Sequence, residues 1–211
     1  MHIPDGFLST PVWVTCDILS LLGFTISLRK TRQVLNQKNI PLIGVMSSFI
    51  FASQMFNFPI LAGTSGHLIG ATLLSIILGP WIGSLVLSIV LIIQCLLFQD
   101  GGITAIGANI LNMAFVSVFI SFYTYNLLIK LLPSKYDYVV PIFFSSFLSV
   151  VIASFFCTLE ISISGVIPFN IAIIPMLGVH ILIGIGEGLI TLSILTFIKK
   201  VRPDILEKVY A

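Results

Sequence analysis

Few residues in this chain can do chemistry, and the first two are among them. The sequence opens MHIPDGFLST. A free Met-His terminus carries three nitrogens that can hold one ion: the amine of Met1, the amide of His2 and the His2 imidazole. They are already neighbours in the chain, so closing fused chelate rings costs little entropy. Such nitrogen sets suit Cu(II) and Ni(II) in a square plane, and Co(II) can also be held. The fourth corner needs another donor. His67, in the stretch FNFPILAGTSGHLIG, is the candidate. Pro59 fixes the backbone there, and Gly63 and Gly66 permit tight turns. Pro4-Asp5-Gly6 turns the terminus back on itself. Binding needs deprotonated donors, and a free amine and imidazole lose their protons near pH 8 and about pH 6.5. An ion should therefore release protons and be lost in acid.

These donors must be positioned by an unusual scaffold. The chain has 57% hydrophobic and 9% charged residues over 211 positions, against roughly 25% charged in a soluble domain. Between Asn39 and Gln99 there is no Asp, Glu, Lys or Arg. A bilayer accommodates such runs, at about 20 apolar residues per crossing helix. Period-two alternation is missing, which argues against a barrel. Seven helical spans are expected: Pro11–Leu28, Ile40–Phe58, Ala62–Leu78, Pro80–Phe98, Thr104–Leu128, Val139–Leu159 and Ile171–Ile198. Basic residues cluster at Arg29, Lys30, Arg32 and Lys38, at Lys130 and Lys135, and at Lys199, Lys200, Arg202 and Lys208. Basic loops stay in the cytoplasm, so an even number of spans separates each pair of clusters. The expected fold is an all-α membrane protein over residues 1–211, a single integral membrane domain with seven transmembrane helices, the N-terminus outside and the C-terminus cytoplasmic. The opening lacks the early Lys or Arg of a signal peptide and reads as a working part. Segment 1–10 and loop 59–67 then share the outer face with Asp100 and Glu160.

Asn57, Ser65, Asp100 and Asn109 are candidates to support the ligands. Asp100 and Asn109 are expected to hydrogen-bond the imidazoles and fix their tautomers, as outer partners of metal ligands do. Ser65 or Thr64 is placed to cap the third helix. Asp5 reads as a turn residue, and Asp17 as an intramembrane acid facing the protein interior that pairs with a neighbouring helix or supports the binding loops. Glu160 is expected at the interface, exposed to solvent. His180 and Glu187, in the seventh span, read as partners in a buried structural hydrogen bond. Cys16, Cys95 and Cys157 are isolated small hydrophobes. Small residues repeat at Gly44, Ser48 and Ala52, and again at Gly184 and Gly188, a pattern that lets helices approach closely.

Three stretches, MHIPDGFLS, NFPILAGTSGHLIGA and LLFQDGGITAIGANILNMAFV, resemble in order and spacing the signature segments of the CbiM/NikM family. These are the substrate-binding membrane components of energy-coupling factor transporters for cobalt and nickel. The resemblance covers at least residues 1–115. It implies that Met1, His2 and His67 hold the metal, and that Ni(II) or Co(II) is the transported substrate, with no organic cofactor. It implies partners: a transmembrane T component (Q-type), two cytoplasmic ATPases (O-type), and often a small N-type membrane subunit. By the same analogy Gly44, Ser48 and Ala52 face the T component. Membrane lipid is the surrounding partner and no nucleic acid is expected. No GxxxxGK[ST], HExxH or GxSxG motif occurs, so a non-catalytic subunit is expected, powered by separate ATPases. The competing reading is a stand-alone metal channel or proton-coupled metal carrier, which usually shows ionisable residues along the midplane. Spans two to five have almost none.

Overall fold

The computed structural model describes residues 1–60 and 64–210; of Lys38 and residues 207–210 only the backbone is described. Leu61, Ala62 and Gly63, and with them the expected Gly63 turn, lie outside the described residues. Eight helices are described: α1 Thr10–Val34, α2 Ile40–Gln54, α3 Ala71–Leu78, α4 Pro80–Phe98, α5 Ile106–Leu131, α6 Val139–Ile163, α7 Phe169–Val201 and α8 Pro203–Tyr210. Five of them (α1, α4, α5, α6 and α7) are long and apolar enough to cross a membrane, and α2 is a shorter apolar helix. Large apolar side chains stay exposed along them, as at Leu21, Leu97 and Leu182. That suits a lipid surround, where outward apolar faces cost nothing.

Two expectations need correction. The third segment is not one helix over 62–78. Its helical part is α3, 8 residues, about 12 Å at the usual rise. Residues 64–70 are non-helical: Ser65–Gly66 pairs with another segment, and Gly70 sits at φ +78°, outside helical backbone. The fold is also not purely helical: Phe58–Pro59 (β1) pairs antiparallel with Ser65–Gly66 (β2), Phe58 opposite Gly66. Pro80 starts α4 directly after Gly79, which takes φ +79°, as a proline at the first helical position allows.

Close helix contacts explain part of the glycine pattern. A Cβ at Gly184 would lie 3.1 Å from the Phe147 ring, and one at Gly188 would lie 2.7 Å from the Phe143 ring. These glycines let α7 press onto α6. Gly44 is different: a Cβ there would meet nothing, and Gly44, Ser48 and Ala52 are all exposed on α2. A wide π-type turn, Leu111–Val116, interrupts α5. It presents Asn112 to the buried Glu160, 2.7 Å from Nδ2 to carboxylate, and Cys16 Sγ donates to the same carboxyl. Glu160 is therefore a buried helix-joining acid, not an exposed one, since α6 runs past it to Ile163 and turns it inward. Asp17 accepts from Gly107 N at 3.0 Å and ties α1 to the start of α5.

A candidate metal centre at the N-terminus

The first three residues are buried although they end the chain. Met1, His2 and Ile3 are 1%, 3% and 0% exposed. Two elements pull them in. The loop before α5 grips the backbone: Ile3 N donates to Asn109 Oδ1 at 2.8 Å, and Asn109 Nδ2 and Gly102 N both donate to Ile3 O. Asp5 then accepts from Thr104 through its amide at 2.8 Å and its hydroxyl at 2.6 Å, and from Ile103 N at 3.1 Å. Those Thr104 bonds hold the Asp5 carboxyl below its ordinary range. Asp5 thus clamps the neighbouring loop and does more than turn its own.

The loop before α3 supplies the other side. The Met1 amine donates to Ser65 O. Ser65 Oγ lies 3.3 Å from the Met1 amine, 3.3 Å from the His2 amide nitrogen and 3.4 Å from His2 Nδ1. The three nitrogens of the terminal chelate therefore converge on one point. His67 stacks beside them, its ring centroid 4.6 Å from that of His2 at an interplanar angle of 28°. His67 Nδ1 faces Leu68 O at 2.7 Å. A carbonyl only accepts, so Nδ1 carries the proton and Nε2 keeps a lone pair. Among the described residues that Nε2 is buried without a well-formed hydrogen bond, as are His2 Nε2 and both amide atoms of Gln94, whose side chain lies by the His2 ring. Unsatisfied buried polar atoms are rare in native proteins, and four of the eleven among the described residues lie at this site.

Burial also sets the protonation. It brings the terminal amine down from 8.0 to about 5 and the His2 imidazole from 6.5 to about 3. The amine and the His2 imidazole are therefore neutral at pH 7, the form a metal ion requires. The Asp100 carboxyl is raised by its burial.

The expected supporting residues are arranged differently from each other. Asp100 Oδ1 sits 3.2 Å from His2 Nδ1. It faces the nitrogen of the chelate itself, not the one behind it; that nitrogen has a single lone pair, so a bound ion would replace the Asp100 contact. Asn57 Nδ2 donates to Asp100 at 3.0 Å and touches neither imidazole. Asn109 likewise holds the Ile3 backbone instead of a ring. Neither Ser65 nor Thr64 caps α3: Ser65 faces the amine, and Thr64 Oγ1 meets Met176 Sδ at 3.4 Å. The N-terminus of α3 lies several residues further on and is held by Glu187, which accepts from Ile69 N at 2.6 Å and Gly70 N at 2.9 Å. Glu187 and His180 are both buried but do not pair with each other. Gln54, whose Nε2 donates to Ile69 O at 2.9 Å, is a positioning residue the sequence reading missed. Its signal was a lone amide in an apolar helix.

Comparison with known proteins agrees with this architecture. Residues 2–205 match the family model CbiM, described as the cobalt uptake substrate-specific transmembrane region. A protein of Archaeoglobus fulgidus provisionally named a fused nickel transport protein, NikMN, is 39% identical over 210 residues, covering 99% of this chain and 68% of that one. A provisionally named metal transport protein of Methanocaldococcus jannaschii is 34% identical, covering 97% of this chain and 94% of its own. A crystal structure of a truncated transition metal transporter superposes with a TM-score of 0.89 at 33% identity, covering 95% of this chain and 99% of that one. The fold is that of a multi-pass membrane protein. The chain belongs to the CbiM family.

Proposed function

We propose that this chain is the substrate-binding membrane subunit of an energy-coupling factor transporter that imports Ni(II) or Co(II). The ion is captured by the Met1 amine, the His2 amide and Nδ1, and His67 Nε2. The observation that carries this is the convergence of three terminal nitrogens within 3.3–3.4 Å of the Ser65 hydroxyl, with the His67 ring stacked alongside. The chain itself catalyses nothing. Transport energy comes from two ATPases acting through a T component, with an N-type subunit assisting.

Seven crossings fit this reading, with the N-terminus outside. The third crossing is composite. Seven non-helical residues, 64–70, reach at most about 23 Å, and α3 adds about 12 Å. Together they match a hydrocarbon core of about 30 Å. Non-helical backbone is tolerated at that depth only where protein satisfies it, and Glu187 and Gln54 do so here. Interrupted spans at the substrate site are common in transporters.

The test is Ni(II) retention by the purified chain with its terminus blocked by acetylation, alongside His67→Ala. Extension by a single residue would not serve, because it places the first histidine third from a new amine and so builds another chelate. Acetylation is expected to weaken binding at least about 100-fold, equivalent to about 2.7 kcal/mol. Equal affinity of the blocked and free chains would remove the amine from the ligand set. Metal uptake by the chain alone in liposomes would replace the subunit reading with a self-sufficient carrier.

A further inference from the structure

The chain has three histidines, and the capture site uses two. The third, His180, is 0% exposed in α7. Its Nδ1 lies 2.7 Å from Met176 O. The carbonyl accepts, so Nδ1 is the donor and Nε2 presents a lone pair to the interior. That Nε2 has no hydrogen-bond partner among the described residues. His67 shows the same arrangement: Nδ1 on a backbone carbonyl, Nε2 buried and unpartnered.

The loop and the helix carry the two histidines along one shared seam, on either side of the contact between Gly66 and Ile183. Thr64 Oγ1 meets Met176 Sδ at 3.4 Å, and further along Ile69 N and Gly70 N meet Glu187. A Cβ at Gly66 would strike the Ile183 side chain. Loop 64–70 and the segment from Met176 to Glu187 therefore run side by side in the same direction. His67 lies between the two tie-points on the loop, and His180 lies between them on the helix. A purely structural histidine would use both ring nitrogens. This one has a fixed tautomer and a buried acceptor with no partner among the described residues.

We infer that His180 Nε2 is an inner ligand for the transported divalent cation, which with His67 Nε2 holds the ion after it leaves the N-terminal chelate. The inference rests on the capture reading above. His67 keeps its bond throughout, so the ion never passes bare into apolar surroundings. The amine, the amide and the His2 imidazole are exchanged for one imidazole. Imidazole pairs suit the same late transition metals as the chelate, and a two-imidazole site holds them less firmly than four nitrogens in fused rings. The second site is therefore a place from which the ion can be released.

With so few histidines, the bound imidazoles can be counted. The probe is one equivalent of Cu(II) on the full chain, purified without a histidine tag, with imidazole nitrogens counted by electron spin-echo modulation. The replacement is His180→Asn, whose amide still reaches Met176 O. In the native chain two imidazoles are expected, from His2 and His67, and the same two in His180→Asn, which also verifies its fold. In His2→Ala two imidazoles are expected again, now from His67 and His180, with Cu(II) held at least tenfold more weakly. In His2→Ala/His180→Asn the count falls to one and Cu(II) is lost on gel filtration. A His2→Ala chain with one imidazole, or with a count unaffected by His180→Asn, would overturn the inner ligand. Loss of capture in His180→Asn alone would overturn it too, because the first hold does not need that residue. The capture reading fails separately, if acetylating Met1 leaves the native chain's affinity unchanged.

Discussion

At the residue scale, the terminal amine shows how burial changes what a sequence implies. A free Met-His terminus competes with protons near neutrality, because its amine titrates at about pH 8. Docked against Ser65 and buried, that amine titrates at about 5 and His2 at about 3. The sign follows from linkage. Between pH 8 and pH 5 the unfolded or undocked terminus binds a proton that the docked one refuses. The docked arrangement is therefore destabilised as pH falls through that window, by about 1.4 kcal/mol per unit. Ion binding behaves accordingly. At pH 7 the docked donors need lose no proton except from the His2 amide, so about one proton should be released per ion. Calorimetry in buffers of different ionisation enthalpy measures this. Release of two protons at pH 7 would show that the amine is charged and undocked. The donor types were legible in the sequence, since chain position and residue identity suffice for a chelate. The shifted titration was not, because it depends on Ile3 being pinned by Asn109 and Gly102, contacts made across about a hundred residues of chain.

At the element scale, the long helices were legible and the short interrupted one was not. Pro80–Phe98 and the start of α6 at Val139 fall where apolar runs and proline placed them. The third segment misled because its apolar length looks continuous while its backbone is not. What decides its shape is a residue 118 positions away in sequence: Glu187 accepts the Ile69 amide, and the next amide too, ahead of α3. An acid in a membrane helix signals function or a partner, but its partner here is backbone, which carries no sequence mark. Glu187→Ala leaves those amides buried and unpaired, at about 1–3 kcal/mol each. It should lower the thermal midpoint in detergent and weaken Ni(II) retention through misplacement of His67. Glu187→Gln keeps one acceptor and should lose about half as much stability, a graded series that thermal unfolding with and without Ni(II) reads directly. Equal midpoints for the native and Ala chains would show that loop 64–70 is held by other contacts.

At the scale of the whole molecule, the two small-residue stripes part company. Gly184 and Gly188 are spent inside, against Phe147 and Phe143. Gly44, Ser48 and Ala52, one every fourth position and so about one per turn, lie exposed on α2. Lipid has no need of small side chains, whereas a second helix approaches closely over them. The Ser48 hydroxyl bonds back to Gly44 O at 3.0 Å, which removes its polarity from the surface and leaves a shallow, smooth track. The proposed capture site lies elsewhere, at the chain terminus and the α3 loop, so the proposed capture and docking roles can be tested by separate mutations. Ser48→Leu should fold normally and retain Ni(II) like the native chain, because no buried contact is lost. It should fail to co-purify with the T component, because a branched side chain in the track holds the partner helix away. Val45→Leu, also exposed on α2 but off the stripe, controls for added bulk alone. Co-purification undiminished in Ser48→Leu would move the docking face off α2. Loss in both variants would show that the whole exposed surface of α2, and not the stripe, makes the contact.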